Sequence, residues 1–111
     1  MNKHEIFAKV KAHLLKQGMR SMNAGSFCAY RGAGGLSCAV GCLIPDAEYD
    51  PIIENLPAND FRVQERLPFE VTEETGHLLC ELQRVHDCSA PSAWPMVLGD
   101  VAFNFSIEEQ S

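Results

Sequence analysis

Cys38, His86 and Asp87 have the side-chain types of a thiol-dependent catalytic site. Cys38 follows a serine that can cap a short helix, and a helix N-terminus lowers the pKa of a thiol. His86 could then act as the base and Asp87 as the carboxylate that orients it. Nothing in the sequence brings the three together, and cysteines serve mostly as small buried side chains. A thiol-dependent enzyme is therefore an alternative function, and the balance is against an enzyme.

A second set of residues has the composition of a zinc site. Cys38 and Cys42 share one face of that short helix, and His77 and Cys80 share a face of a later helix. Two ligands from each of two helices make the tetrahedral set that zinc takes. The chain has no Cys-x-x-Cys knuckle, which is the commoner source of such ligands. A small zinc-binding domain is a further alternative, and we expect no metal and no cofactor.

The glycine-rich run 32–35 and its neighbours are candidates for binding an anion. The run matches neither the G-x-x-x-x-G-K-[ST] nor the G-x-G-x-x-G phosphate-binding spacing, so it predicts a tight turn. Arg31, directly before the turn, either meets an anionic group or pairs with Asp46. The candidate binding residues on this and the later acidic segment are Arg31, Asp46, Tyr49, Glu73 and Glu74.

Charge is distributed unevenly along the chain. Residues 1–31 carry six basic side chains against one acid, whereas residues 32–111 carry three basic side chains against fourteen acids. The net charge is -6. An acidic surface of this kind favours a partner with a basic patch, and basic residues this few make nucleic-acid binding unlikely.

The elements that must position these residues are mostly helices. Residues 3–17 read as a basic helix with an Asn2/Glu5 capping box and a stop at Gly18. Two C-terminal helices are predicted within 72–105, the first starting at Thr72 and the second near Ser92. Between them, 27–56 predicts a β-hairpin (27–31 paired with 36–38) and a short helix, and 58–71 is a connecting segment. We therefore predict a single α+β domain over 1–111, compact and mainly helical, with one short β-hairpin.

Three segments of the chain together carry a resemblance. They are Tyr30-Arg31-Gly32, then Gly35-Leu36-x-Cys38-Ala39-Val40-Gly41-x-Leu43-Ile44-Pro45-Asp46-x-x-Tyr49-Asp50-Pro51, and Leu82-Gln83-x-Val85-His86-Asp87 followed by Trp94. The pattern resembles a family of small bacterial and phage proteins with no established function. The resemblance implies an intracellular protein, often associated with mobile elements. It brings no substrate, cofactor or catalytic residue with it.

Composition and the absence of long apolar runs complete the sequence-based prediction. No apolar run approaches the roughly 18 residues of a membrane span, and the N-terminal segment is not a signal peptide, so we expect a cytoplasmic protein without membrane association. Five cysteines are an odd number and are expected as free thiols. The function predicted is a small non-enzymatic interaction or regulatory protein, phage or mobile-element encoded, that binds a larger protein partner through a charged surface. The oligomeric state is left open.

Overall fold

The computed structural model describes residues 1–109, and within them the chain is mainly helical. The α-helices are α1 (Lys3–Gln17), α2 (Phe61–Gln64), α3 (Glu73–Cys88) and α4 (Trp94–Asn104). Single 3-10 turns lie at Ala33–Gly35, Gly41–Leu43, Asp46–Glu48, Pro51–Ile53 and Pro91–Ala93. Helices α1, α3 and α4 pack on one another, and the Gly41–Leu43 turn packs on α1. No helix in 1–109 is long and apolar enough to cross a membrane.

Helix α1 occupies the predicted range because both of its ends are capped. Asn2 Oδ1 accepts the Glu5 backbone N–H at 2.9 Å, and Glu5 Oε1 accepts the Asn2 N–H at 3.0 Å. At the other end Gly18 adopts a left-handed conformation with φ 69°, and its N–H bonds to the Leu14 carbonyl. One face of the helix is buried, by Ile6, Phe7, Val10 and Leu14. The predicted helix and its capping box are confirmed.

Helices α3 and α4 also lie close to their predicted positions. Thr72 caps α3 by accepting the Thr75 N–H, and the helix buries Leu78, Leu79, Leu82 and Val85. Helix α4 begins at Trp94, two residues later than Ser92, because Pro91–Ala93 forms a 3-10 turn before it. The Trp94 indole is buried and anchors the start of α4 against the end of α3 through an N–H bond to the Ser89 carbonyl.

The predicted β-hairpin is wrong, and the fold is all-α instead of α+β. Residues 1–109 contain no strand, only two isolated antiparallel bridges, Met22 with Cys28 and Arg31 with Ser37. A ladder does not extend from these bridges because neighbouring backbone groups bond to side chains. The Glu54 carboxylate accepts the N–H groups of Tyr30 and Arg31, and Gln17 Oε1 accepts the N–H of Ser37.

The segment after Ser37 forms a compact turn instead of a regular helix. The Cys42 N–H bonds to the Cys38 carbonyl at 3.0 Å, and the chain then tightens into the Gly41–Leu43 turn. Gly41 lies against the Tyr30 backbone so closely that a Cβ atom there would overlap the Tyr30 carbonyl oxygen. This close approach, which only glycine permits, holds the Gly41–Leu43 turn against the segment that contains Tyr30.

Candidate functional site

Cys38, the proposed nucleophile, lies in the core. Its side chain is fully buried, and its Sγ accepts the Gly41 N–H at 3.3 Å. Burial raises the pKa of the Cys38 thiol from 9.0 to about 12, so the reactive thiolate is scarce at neutral pH. A substrate has no access to a sulfur atom in this position.

His86 has both ring nitrogens engaged by the fold. Nε2 accepts the Ser21 backbone N–H at 2.9 Å, and Nδ1 lies 2.7 Å from Asp87 Oδ1. An acceptor role for Nε2 places the ring proton on Nδ1, which therefore donates to the carboxylate. The ring is fully buried and stacks on Trp94 with centroids 5.7 Å apart. The lone pair that a general base needs is already used in a structural hydrogen bond.

The cysteine beside His86 and Asp87 is Cys28, not Cys38. The ligand atoms of Cys28, His86 and Asp87 all lie within 4.8 Å of one another. A cavity of about 270 Å³ opens beside Cys28 and Asp87. Burial, with the Asp87 carboxylate as the next cause, raises the pKa of the Cys28 thiol to about 11. Cys28 is therefore a protonated thiol at neutral pH, and no signal in the sequence placed it beside His86 and Asp87.

These three residues are a poor metal centre despite their spacing. A metal at Nδ1 would require the ring proton to move to Nε2, where it would face the Ser21 N–H, another donor. The zinc ligands predicted from the sequence, Cys38, Cys42, His77 and Cys80, do not form a cluster of this kind anywhere in residues 1–109. The Cys42 thiol instead donates to the Ala39 carbonyl at 3.0 Å.

Arg31, Asp46 and Tyr49 come together, but they bond to one another and to the backbone. The Arg31 guanidinium pairs with Asp46, donates to the Ile44 carbonyl at 2.6 Å and lies 5.1 Å above the Tyr49 ring. An arginine in these contacts stabilises the turns around it and offers little to an external anion.

Glu54, which the sequence did not single out, is the acceptor that organises this region. Oε1 accepts the Tyr30 N–H at 2.9 Å, while Oε2 accepts the Arg31 N–H at 3.1 Å and the Tyr49 hydroxyl at 2.6 Å. Burial, followed by the bond to Glu54, raises the pKa of Tyr49 to about 12. One carboxylate thus joins the 30–31 segment to the 49–54 segment.

Glu73 and Glu74 have the opposite character, because they are exposed at a groove. They lie in the first turn of α3, and the groove, with a volume of about 530 Å³, is also lined by Lys3, Asn104 and Ser106. Lys3 Nζ donates to the Phe105 carbonyl at 2.9 Å and lies 3.5 Å from Glu74 Oε2. The groove therefore marks the junction of α1, α3 and the end of α4.

Two further exposed acids lie within four residues of positions that line the groove. Asp100 lies one turn before Asn104 on the same side of α4, and Glu108 follows Ser106 by two residues. Both side chains are exposed. We call Glu73, Glu74, Asp100 and Glu108 together the acidic surface.

The outward side of α4 also exposes apolar side chains. Met96 is 69% exposed and Phe103 is 84% exposed, although both belong to a helix whose opposite face is buried by Trp94, Leu98 and Val101. Residues seven apart lie on the same side of a helix. We call Met96, Gly99 and Phe103 the α4 stripe, and Asp100 of the acidic surface directly follows Gly99 in the helix.

Comparison with known proteins gives no relative for this chain: no family model, no curated protein and no solved structure matches it.

Proposed function

We propose that this chain is a small non-enzymatic interaction protein that binds a larger protein partner through its acidic surface. The observation that carries the proposal is the exposure of carboxylates that the fold leaves without partners. Within residues 1–109, Glu73, Asp100 and Glu108 form no ion pair, and Glu74 has only the Lys3 contact at its exposed carboxylate. Exposed carboxylates without an ion-pair partner in the fold are available to a ligand.

The internal use of the chemically reactive groups supports the same proposal. The Cys38 thiol is buried and protonated, and the His86 imidazole is engaged at both nitrogens. The alternative that uses Cys38 with His86 and Asp87 would need an accessible thiolate and a free imidazole nitrogen. The zinc alternative would need its four ligands to converge.

An acidic surface of this kind acts chiefly on association rate and selectivity. Carboxylates around a groove attract a basic patch before contact, and this steering weakens as salt screens the charges. A partner surface that otherwise holds nucleic acid carries such a patch. Binding should accordingly be fast at low ionic strength and weaker at moderate ionic strength.

The test is affinity capture from host lysate with wild-type protein and a Glu73→Lys/Glu108→Lys variant, at about 0.05 M and about 0.15 M salt. The matched control is Glu65→Lys/Glu81→Lys, which changes the net charge equally at exposed positions away from the groove. Circular dichroism and thermal melting of all three proteins check that the helices remain folded.

The acidic surface is supported if a salt-sensitive partner is retained by wild type and the control but lost by the groove variant. If both variants lose the partner equally, binding depends on the net charge of the chain and not on the acidic surface. Unchanged capture by the folded groove variant would overturn the proposal.

A further inference from the structure

We propose that the α4 stripe seats a basic amphipathic helix of the partner. This inference rests on the proposed function and adds the chemistry of the segment that is bound. The stripe supplies apolar contact, and the surrounding carboxylates select the charge of the occupant.

The two large apolar side chains of the α4 stripe are exposed in a regular arrangement. Isolated apolar residues at a protein surface are ordinary, but Met96 and Phe103 lie two helical turns apart on one line, at the centre of the solvent-facing side of α4. Phe103, at 84%, is the most exposed large hydrophobic side chain in residues 1–109. The two side chains are about 10 Å apart along the axis, the separation of two anchors on a docked helix.

Gly99 lowers the surface between these anchors. It has no side chain, and the nearest atom to a Cβ placed there is Glu109 Oε2, at 3.7 Å. Glu109 is itself held by an ion pair with Lys11 on α1. The α4 stripe is therefore a shallow saddle, with an apolar residue at each end and the Glu109 carboxylate beside the glycine between them.

The charge around the saddle identifies the occupant. The acidic surface and Glu109 supply five carboxylates, of which Glu74 pairs with Lys3 and Glu109 pairs with Lys11. A net charge of -3 repels nucleic acid and anionic lipid, and it disfavours a symmetric dimer in which the same acidic rims would meet. An apolar centre inside an acidic rim is complementary to a helix with apolar residues two turns apart and lysine or arginine on either side.

A direct test uses a synthetic peptide of about 18 residues with leucines at i, i+3 and i+7, lysine and glutamine elsewhere, and a fluorescent label. A scrambled peptide of the same composition controls for charge alone. The protein variants are Met96→Ser/Phe103→Ser on the stripe and Phe27→Ser/Phe61→Ser elsewhere, where the side chains are 68% and 71% exposed. Affinity is measured by fluorescence anisotropy.

We expect the stripe variant to bind the peptide about tenfold or more weakly than wild type, because burial of the two anchors is lost. The control variant should bind within about twofold of wild type, and the scrambled peptide should bind more weakly than the ordered one. Equal binding by the stripe variant and wild type would overturn the inference.

Two outcomes separate this inference from the proposed function. If Glu73→Lys/Glu108→Lys abolishes capture of the lysate partner while the stripe variant still captures it, the acidic surface stands and the docking site on α4 is refuted. If light scattering shows a wild-type dimer that the stripe variant loses, the occupant is a second copy of this chain, and the basic-helix assignment is likewise refuted.

Discussion

Replacing Glu54 with glutamine tests the account of why residues 27–38 do not form a hairpin. The substitution keeps the shape of the side chain but replaces one oxygen with an NH₂ group. Placed at the Oε1 position, that group faces the Tyr30 N–H, which then has no acceptor, at a cost of about 1–3 kcal/mol. The bonds from Arg31 and Tyr49 remain but lose their charged acceptor, which costs roughly 0.5–1 kcal/mol more.

The expected loss is about 1.5–4 kcal/mol in the free energy of unfolding, measured by urea denaturation at pH 7. The melting temperature should fall by about 10 °C for a chain of this size. Glu48→Gln is the control, since that exposed side chain forms no ion pair within residues 1–109, and it should change stability by less than about 0.5 kcal/mol. A double-mutant cycle with Tyr49→Phe should show coupling. A loss below about 0.5 kcal/mol for Glu54→Gln would refute the reasoning.

Three further predictions follow from buried groups. Gly41→Ala should destabilise the fold by about 2–4 kcal/mol because the added Cβ meets the Tyr30 carbonyl. The control, Gly76→Ala within α3, should stabilise the fold by about 0.5–1 kcal/mol. Equal urea midpoints for the two variants would contradict the close approach at Gly41. Above pH 9 the unfolded chain releases the Cys38 proton that the folded state retains up to about pH 12, so the free energy of unfolding falls with rising pH, by roughly 1 kcal/mol per pH unit from this thiol. The free energy of unfolding, measured by urea titration at pH 9 to 11, should therefore depend less on pH in Cys38→Ala than in wild type. The same pH dependence in both proteins would count against a buried Cys38 thiol. Nitrogen-15 NMR should find the His86 proton on Nδ1; a proton on Nε2 alone would reopen metal ligation there.

Signals within a few residues of sequence predict the helices, whereas hydrogen bonds between distant residues leave no such signal. The Asn2 cap and the stop at Gly18 act within a few residues, so the sequence sufficed to place α1. The hairpin was mispredicted because its competing acceptors, Glu54 and Gln17, lie about 20 residues away in the chain. Spacing within the sequence contains no information about such contacts.

The lack of long-range information in the sequence also explains why the sequence pointed to Cys38 and not to Cys28. Helix-dipole reasoning selected Cys38, whose burial depends on how the turn that follows it, Gly41–Leu43, packs against α1. Cys28 reaches Asp87 only because the chain crosses the end of α3 there. Glu73 and Glu74 were selected as surface charge, and they are exposed because the first turn of a capped helix projects from the core. Exposed charge can be predicted from local sequence, whereas the pairing of buried groups cannot.

The bond from Lys3 Nζ to the Phe105 carbonyl has a consequence for synthesis of the chain. It joins residues 102 positions apart, and α1 packs on both α3 and α4. An isolated helix of 15 residues is marginal in water, so α1 gains stable packing only after α3 and α4 have left the ribosome. Closing so long a loop is entropically costly and makes the contacts non-local. Folding should therefore begin only after residue 105 has left the ribosome, which measurements on arrested nascent chains of increasing length would detect.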